Sequence, residues 1–376
     1  MSSASNTPAE ETPLSTANAS DSTPATPTII VQNASTGCLQ RFMMFVGWSG
    51  FLLCAFSLMN YFGAEADYFD TSEGIKEQFH SRSQSTQNKI AIIDVSGVIL
   101  EGDGFVKRQI DRIRDDNNVK AAVLRIDTPG GTVTGSDYIF HHLVKLRKEK
   151  NIPLVVSMGS MATSGGYYIA MAVGDQKETI FAEPTTTTGS IGVIIPHYDL
   201  SGFLERWDIK DDSIASHERK QMLSMTRELS PEHRSIIQEY IDESFLRFKN
   251  IVKKGRPVFR DGTDNITDKA TGTDLATGEI FSAQKAQKYQ LVDKIGFLDE
   301  AIDRAAALAN LQPDSVRVVK YTKPASLLNI TGLAQQQGTG SRLQTLLEMS
   351  APRAYYLTTS LPALFTTNGM GPLVEP

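Results

Sequence analysis

Apolar residues fall into three patterns along this 376-residue chain. The first is one unbroken block. Phe42 to Phe62 runs 21 residues without a charge. At about 1.5 Å per residue, a helix of that length reaches about 30 Å, the thickness of the hydrocarbon layer of a bilayer. The second pattern is a set of short, β-branched runs: Ile90 to Val95, Val119 to Ile126, Leu154 to Ser157 and Thr179 to Ala182. Such runs read as buried strands. The third is helical spacing in Gly104 to Asn117, Ser136 to Lys150 and Pro231 to Lys254. The last of these is preceded by Ser230, a good N-cap, with Glu232 in its first turn. Strands that alternate with helices predict an α/β domain with a mainly parallel sheet.

The remaining segments complete the expected organisation. Residues 1–41 are rich in Ser, Thr, Ala, Pro and Asn up to the basic Arg41, and read as a disordered tail. The transmembrane helix is expected at 42–62, a polar linker at 63–88, and the globular domain at 89–322. Gly189 is expected to turn the chain into a strand through Val193, Ile194 and Ile195. Glu279 to Phe281 is strand-like, a helix starts at Ser282, another is expected over Ala301 to Ala309, and Val316 to Tyr321 is a last strand. Residues 323–376 are expected to be a partly ordered C-terminal tail, with short apolar pieces such as Ala354 to Phe365.

Charge orients the apolar block. Arg41 precedes it, and Glu65, Asp67 and Asp70 come after it. Positive charge stays inside, so the N-terminus is expected in the cytoplasm and the globular domain on the far side of the inner, cytoplasmic membrane. The alternative is a cleaved signal peptide, with Ala64-Glu65-Ala66 as a cleavage site. The apolar run and the tail before it are both longer than a signal peptide needs, which favours a retained anchor.

Composition removes other classes. A net charge of -6 gives no reason to expect nucleic acid as a partner. The two cysteines, Cys38 and Cys54, lie at or in the apolar block, so the globular part has no thiol for a disulfide or a metal. The six histidines show no HExxH spacing. No cofactor and no metal are expected.

One stretch carries chemistry. Leu154 to Val156 leads into small residues, then into Ser164-Gly165-Gly166 and the helix-like Tyr167 to Ala172. A serine at a strand–helix junction has helix amides beside it, and the glycines let a substrate backbone approach. Ser164 reads either as a nucleophile with an oxyanion site or as a plain N-cap. A serine nucleophile needs a base. No histidine is marked out by its context. A lysine serves only when desolvation brings its pKa towards neutrality. Lys220 lies between charged Glu218-Arg219 and apolar Met222-Leu223. On spacing alone it reads as a surface lysine.

The run SMGSMATSGGYYIA, Ser157 to Ala170, resembles the nucleophile motif of the signal peptide peptidase A family. RIDTPGG, Arg125 to Gly131, is similar to that family's oxyanion loop, with Thr128 where a serine is usual. TTGSIGVI (Thr187 to Ile194), the run from Lys220 through Ser224 to Glu228, and Gly278 to Ile302 also match. The resemblance covers roughly Lys89 to Val319 and looks like the short, single-repeat form of the family. It implies a ClpP/crotonase-like fold and a membrane-bound serine protease with a Ser-Lys dyad. It further implies Ser164 as nucleophile, Lys220 as general base, Ser190 orienting the lysine amine, and Gly130, Gly131 and Gly165 around the oxyanion. The implied substrates are apolar peptides such as remnant signal peptides. With one repeat per chain, a homo-oligomeric ring is expected, whose sites either pair Ser164 of one copy with Lys220 of its neighbour or hold both within one chain. A crotonase-like acyl-CoA enzyme and a membrane-tethered scaffold with a dead site remain as alternatives.

Overall fold

The computed structural model describes residues 37–69, 74–260, 262–323 and 354–357. Among the described residues, those to Glu65 and those from Ala66 fall into two units. Helix α1 (Gly37–Phe69), most of which belongs to the first, contains a stretch, Arg41–Met59, long and apolar enough to cross a membrane. Its side chains from Arg41 to Met59 are exposed.

The second unit is built on a nine-stranded mixed sheet. Its main path is β1 (Lys76–Arg82), β10 (Arg317–Thr322), β2 (Lys89–Ser96), β3 (Val119–Thr128), β5 (Leu154–Thr163), β6 (Ile180–Ala182) and β9 (Lys294–Ile295). All neighbours on this path are parallel except β1 and β10. The expected α/β class with a mainly parallel sheet is therefore the observed one.

Strand periodicity sorts the core into two faces. Ile90 and Ile92, Ala121 and Val123, and Val155 point one way, onto α8 (Leu298–Leu308) through Ala301, Ile302, Ala305 and Ala306. Ala91, Ile93 and Val95, with Leu124, Ile126, Val156 and Met158, point the other way into the larger core. That side is covered by α2 (Phe105–Asp115), α3 (Val133–Lys150), α4 (Gly165–Ala170) and α6 (Pro231–Gly255). Ser230 caps α6 by accepting from His233 N, as its sequence signature requires.

Two elements depart from the sequence reading. Strand β1 lies in the stretch expected as linker. Its polar side chains alternate with few apolar ones, because an antiparallel edge strand needs backbone pairing more than a buried face. The strand expected after Gly189 lies before it instead: β7 (Thr187–Gly189) pairs with β5 and with β8 (Ile280–Ser282). Residues 191–195 form only an isolated bridge at Ile194. Their apolar character comes from burial of Ile191 in the core rather than from sheet pairing.

Strand β5 is the pivot. Val156 to Met158 pair with β6, whereas Met161 to Thr163 pair with β7. Between them the register against β3 slips, from Met158 opposite Ile126 to Ala162 opposite Thr128. Such a bulge bends a strand and re-aims the residues beyond it. Asp127 holds the bend by accepting from Ser160 Oγ at 2.5 Å and Met161 N at 3.1 Å. Ser164 is the first residue past the bent end.

Candidate active site

Ser164 has φ 54° and ψ −111°, a conformation that costs a non-glycine residue on the order of 1–3 kcal/mol. Two backbone bonds hold it there. Ser164 N donates to Gly189 O at 2.8 Å, and Ser164 O accepts from Tyr168 N at 2.8 Å to open α4. The side chain does not cap that helix. Its Oγ is buried, in a residue only 1% exposed, and is without a hydrogen-bond partner among the described residues. The N-cap reading therefore fails. An unpaired buried hydroxyl is costly and rare, and so calls for a functional explanation.

The glycines close around this residue. Strand β4 (Gly130–Thr132) leaves β3 through a tight turn in which Gly130 has φ 101°. Thr128 shapes the turn: its Oγ1 accepts from Gly130 N at 3.0 Å and donates to Gly97 O at 2.5 Å. Its methyl group packs where a side chain on Gly166 would sit. The threonine thus keeps the hydroxyl that a serine would supply. A side chain on Gly131 would run into the backbone of Ile99. One on Gly165 would run into Ser136 Oγ and come within 3.2 Å of both Gly130 Cα and Gly131 N. Gly130, Gly131, Gly165 and Ser164 are therefore assembled in one place, and the amides of Gly131 and Gly165 lie close together.

Ser190 adjoins them. It comes directly after Gly189, the residue bonded to Ser164, has φ 52°, and donates its N–H to Glu279 O at 2.7 Å. It lines a groove with Ile194, Phe245, Thr277 and Leu357.

Lys220 stands apart. It is exposed, in a short 3-10 turn (Glu218–Gln221) on an arm formed by residues 197–230. The arm is tied to itself. Leu200 N donates to Met225 O at 2.8 Å, and Asp211 accepts from Ser213 N, Thr226 Oγ1 and Arg227 Nε. Bonds from Ser213, Thr226 and Arg227 hold the Asp211 carboxyl well below the usual carboxylate range. The recess beside Lys220 is lined by Ser213, Ile214, Leu223 and Ser224, and shares no residue with the groove at Ser190. Within one chain, the structure does not bring Lys220 to Ser164.

Sequence reasoning missed one element of the site. Strand β11 (Tyr355–Leu357) lies antiparallel to β4, with Tyr356 opposite Gly131. Ala354 O accepts from Val133 N at 3.2 Å. On its other side, Tyr355 exchanges two bonds with Ile194, at 2.9 and 3.0 Å. The segment thus fills a slot between two backbone edges, as an added peptide strand does. Its apolar character was the only signal in the sequence.

Comparison with known proteins identifies the family. Residues 146–312 match peptidase family S49. A putative protease of Synechocystis sp. is 35% identical over 264 residues, which cover 70% of this chain and 88% of that one. A putative signal peptide peptidase SppA of Enterococcus faecium is 33% identical, over 62% of this chain and 70% of its own. Protease 4 of Haemophilus influenzae is 32% identical over 61% of this chain, a match spanning 36% of the longer protein. With a strained serine, converging glycine amides and relatives of this kind, the chain belongs to peptidase family S49, the signal peptide peptidase A family, and is a protease.

Proposed function

We propose that this chain is a membrane-anchored serine endopeptidase in which Ser164 is the nucleophile and Lys220 the general base. The observation that carries the reading is the Ser164 hydroxyl: buried, on a strained backbone, unpaired, and beside the amides of Gly131 and Gly165. In hydrolysis, a neutral Lys220 takes the Ser164 proton as Oγ attacks the peptide carbonyl. The Gly131 and Gly165 amides hold the oxyanion. The leaving amine takes the proton from Lys220, and water then releases the acyl group. Ser190 orients the lysine amine.

Because the Ser164 hydroxyl has no partner among the described residues and Lys220 sits at a recess that shares no residue with the groove at Ser190, the base is taken from a neighbouring copy. The arm that carries it supports this. Phe203, Trp207 (65% exposed), Ile209 and the fully exposed Ile214 are apolar residues of this arm that the described residues leave uncovered. Repeated head-to-tail contacts of this kind close into a ring when the rotation allows. Burial in such an interface removes water from the lysine and leaves the sites open only to extended peptide.

The substrates proposed are apolar peptides, including signal-peptide remnants in the membrane. The helix Gly37–Phe69 anchors the chain in the inner membrane, with the N-terminus cytoplasmic and the protease domain outside. Two assays test the reading. The detergent-solubilised chain should hydrolyse a short apolar peptide and react with a covalent serine probe, and Ser164→Ala should do neither. Protease added to intact spheroplasts should remove the domain. Protection until lysis reverses the orientation, and probe-insensitive hydrolysis removes the serine mechanism.

A further inference from the structure

Strand β5 carries more residues than the strand beside it can pair. Met158 lies opposite Ile126 and Ala162 opposite Thr128, so Gly159, Ser160 and Met161 all face the single residue Asp127. Residues in a bulge lose their ladder partners, and their backbone groups need others. Side chains on both flanks supply them. Asp127 Oδ1 accepts from Ser160 Oγ at 2.5 Å and from Met161 N at 3.1 Å. On the other flank the buried Thr186, one residue before β7, donates its hydroxyl to Gly159 O at 2.6 Å. The bend that leads to Ser164 is therefore held by side chains, where a regular strand is held by its backbone.

The same end of β3 also holds the oxyanion loop. Thr128 Oγ1 accepts from Gly130 N, and Thr128 pairs with Ala162, two residues before Ser164. Two consecutive side chains thus set the two halves of the site. The Thr128 hydroxyl fixes the turn to Gly130 and Gly131. The Asp127 carboxylate fixes the strand that ends at Ser164. Asp127 is half-buried and Ser160 exposed, so the pair adds little to core packing. What it supplies is the geometry of the bend.

We propose that Asp127 is a positioning residue for hydrolysis, setting where the Ser164 hydroxyl stands relative to the Gly131 and Gly165 amides. The proposal rests on the serine peptidase reading above. A reacting group displaced by about 1 Å loses on the order of 100-fold in rate, even when the change lies away from the chemistry. Among the described residues, the Asp127 carboxylate bonds only Ser160 and Met161, and it does not line the groove at Ser190. Its loss therefore acts on turnover and leaves peptide binding in place.

The test measures kcat and KM of the full-length chain in detergent on one short apolar peptide, with thermal unfolding of each variant alongside. Asp127→Asn keeps an acceptor oxygen for both donors and should hold kcat within about threefold of wild type. Asp127→Ala should lower kcat by about 30-fold or more, keep KM within about twofold, and slow reaction with a covalent serine probe to match. Ser160→Ala removes one donor at an exposed position and should lower kcat about fivefold. Added to Asp127→Ala it should have no further effect, because the two residues act through one bond. Wild-type kcat in Asp127→Ala, with Ser164→Ala inactive, makes the proposal fail alone. So does an Asp127→Asn loss as deep as that of Asp127→Ala, since the charge and not the acceptor then matters. A lower thermal midpoint with kcat unchanged in the folded fraction makes the role structural and also overturns it. Should Asp127→Ala not fold, Ser160→Ala decides, and an unchanged kcat there is the negative result. If Ser164→Ala hydrolyses peptide as well as wild type, the peptidase reading fails and takes the proposal with it.

Discussion

Ser164 donates its amide to the carbonyl of Gly189 at 2.8 Å, which joins the end of β5 to the end of β7. The residues on either side of this bond, Ser164 and Ser190, both have positive φ, 54° and 52°. One backbone contact thus brings two strained serines to adjoining positions, and the consequences are measurable.

Replacing Ser164 separates chemistry from stability. Its hydroxyl is buried and unpaired among the described residues, so Ser164→Ala removes a group that folding already disfavours. The thermal midpoint should stay level or rise, while peptide hydrolysis falls by about 10³-fold or more. Ser164→Gly should add about 1 kcal/mol of stability by relaxing the backbone. A clear loss of stability in Ser164→Ala would mean that the hydroxyl holds the fold.

Gly130→Ala should abolish activity. Residue 130 combines φ 101° with a side-chain direction that points into the Tyr356 carbonyl and towards Gly165 N. Gly262→Ala is the control, with φ 84° but open space around it. It should lose about 1–2 kcal/mol of stability and keep its turnover. Equal turnover in both variants would show that the approach at Gly130 has no role in catalysis.

Shared sites make a quantitative expectation for mixing. Ser164→Ala and Lys220→Ala should each be inactive. Co-expressed and co-assembled at equal levels, they should recover about a quarter of wild-type activity, because one contact in four joins an intact serine to an intact lysine. A mixed assembly without activity would place both residues in one chain's site. Lys220→Arg should stay inactive, since guanidinium does not release its proton.

Stability should fall at alkaline pH. Burial raises the phenols of Tyr167 and Tyr168 above their ordinary value, and the bond to Asp137 raises Tyr168 further. A raised native pKa stabilises the fold fully below the unfolded value of about 10, and that contribution is lost as pH climbs past it. Phenolate absorbance should show some tyrosines titrating only when the domain unfolds. Smooth titration of all phenols near pH 10 with the fold intact would contradict this.

Much of this protein was written in local pattern. Strands β2, β3, β5 and β6 and helices α2, α3 and α6 were legible because each buries a face whose period of 2 or 3.6 shows in neighbouring residues. Ser164, Gly130, Gly131 and Gly165 were marked out by the family resemblance; local pattern alone left Ser164 between a nucleophile and an N-cap, and the glycines as a turn or a place for close backbone approach. Other features depended on partners distant in the chain. Strand β1 is a strand because β10, over 230 residues later, offers it an edge. Tyr355 to Leu357 reach the site only because β4 and Ile194 leave a gap of one strand's width between them. The bend in β5 that turns Ser164 towards Gly189 is set by Asp127 from the neighbouring strand. Where Lys220 goes was settled by the tertiary structure: bonds from Thr226 and Arg227 to Asp211, residues well apart in the sequence, brace the arm that holds it at a recess separate from the groove at Ser190.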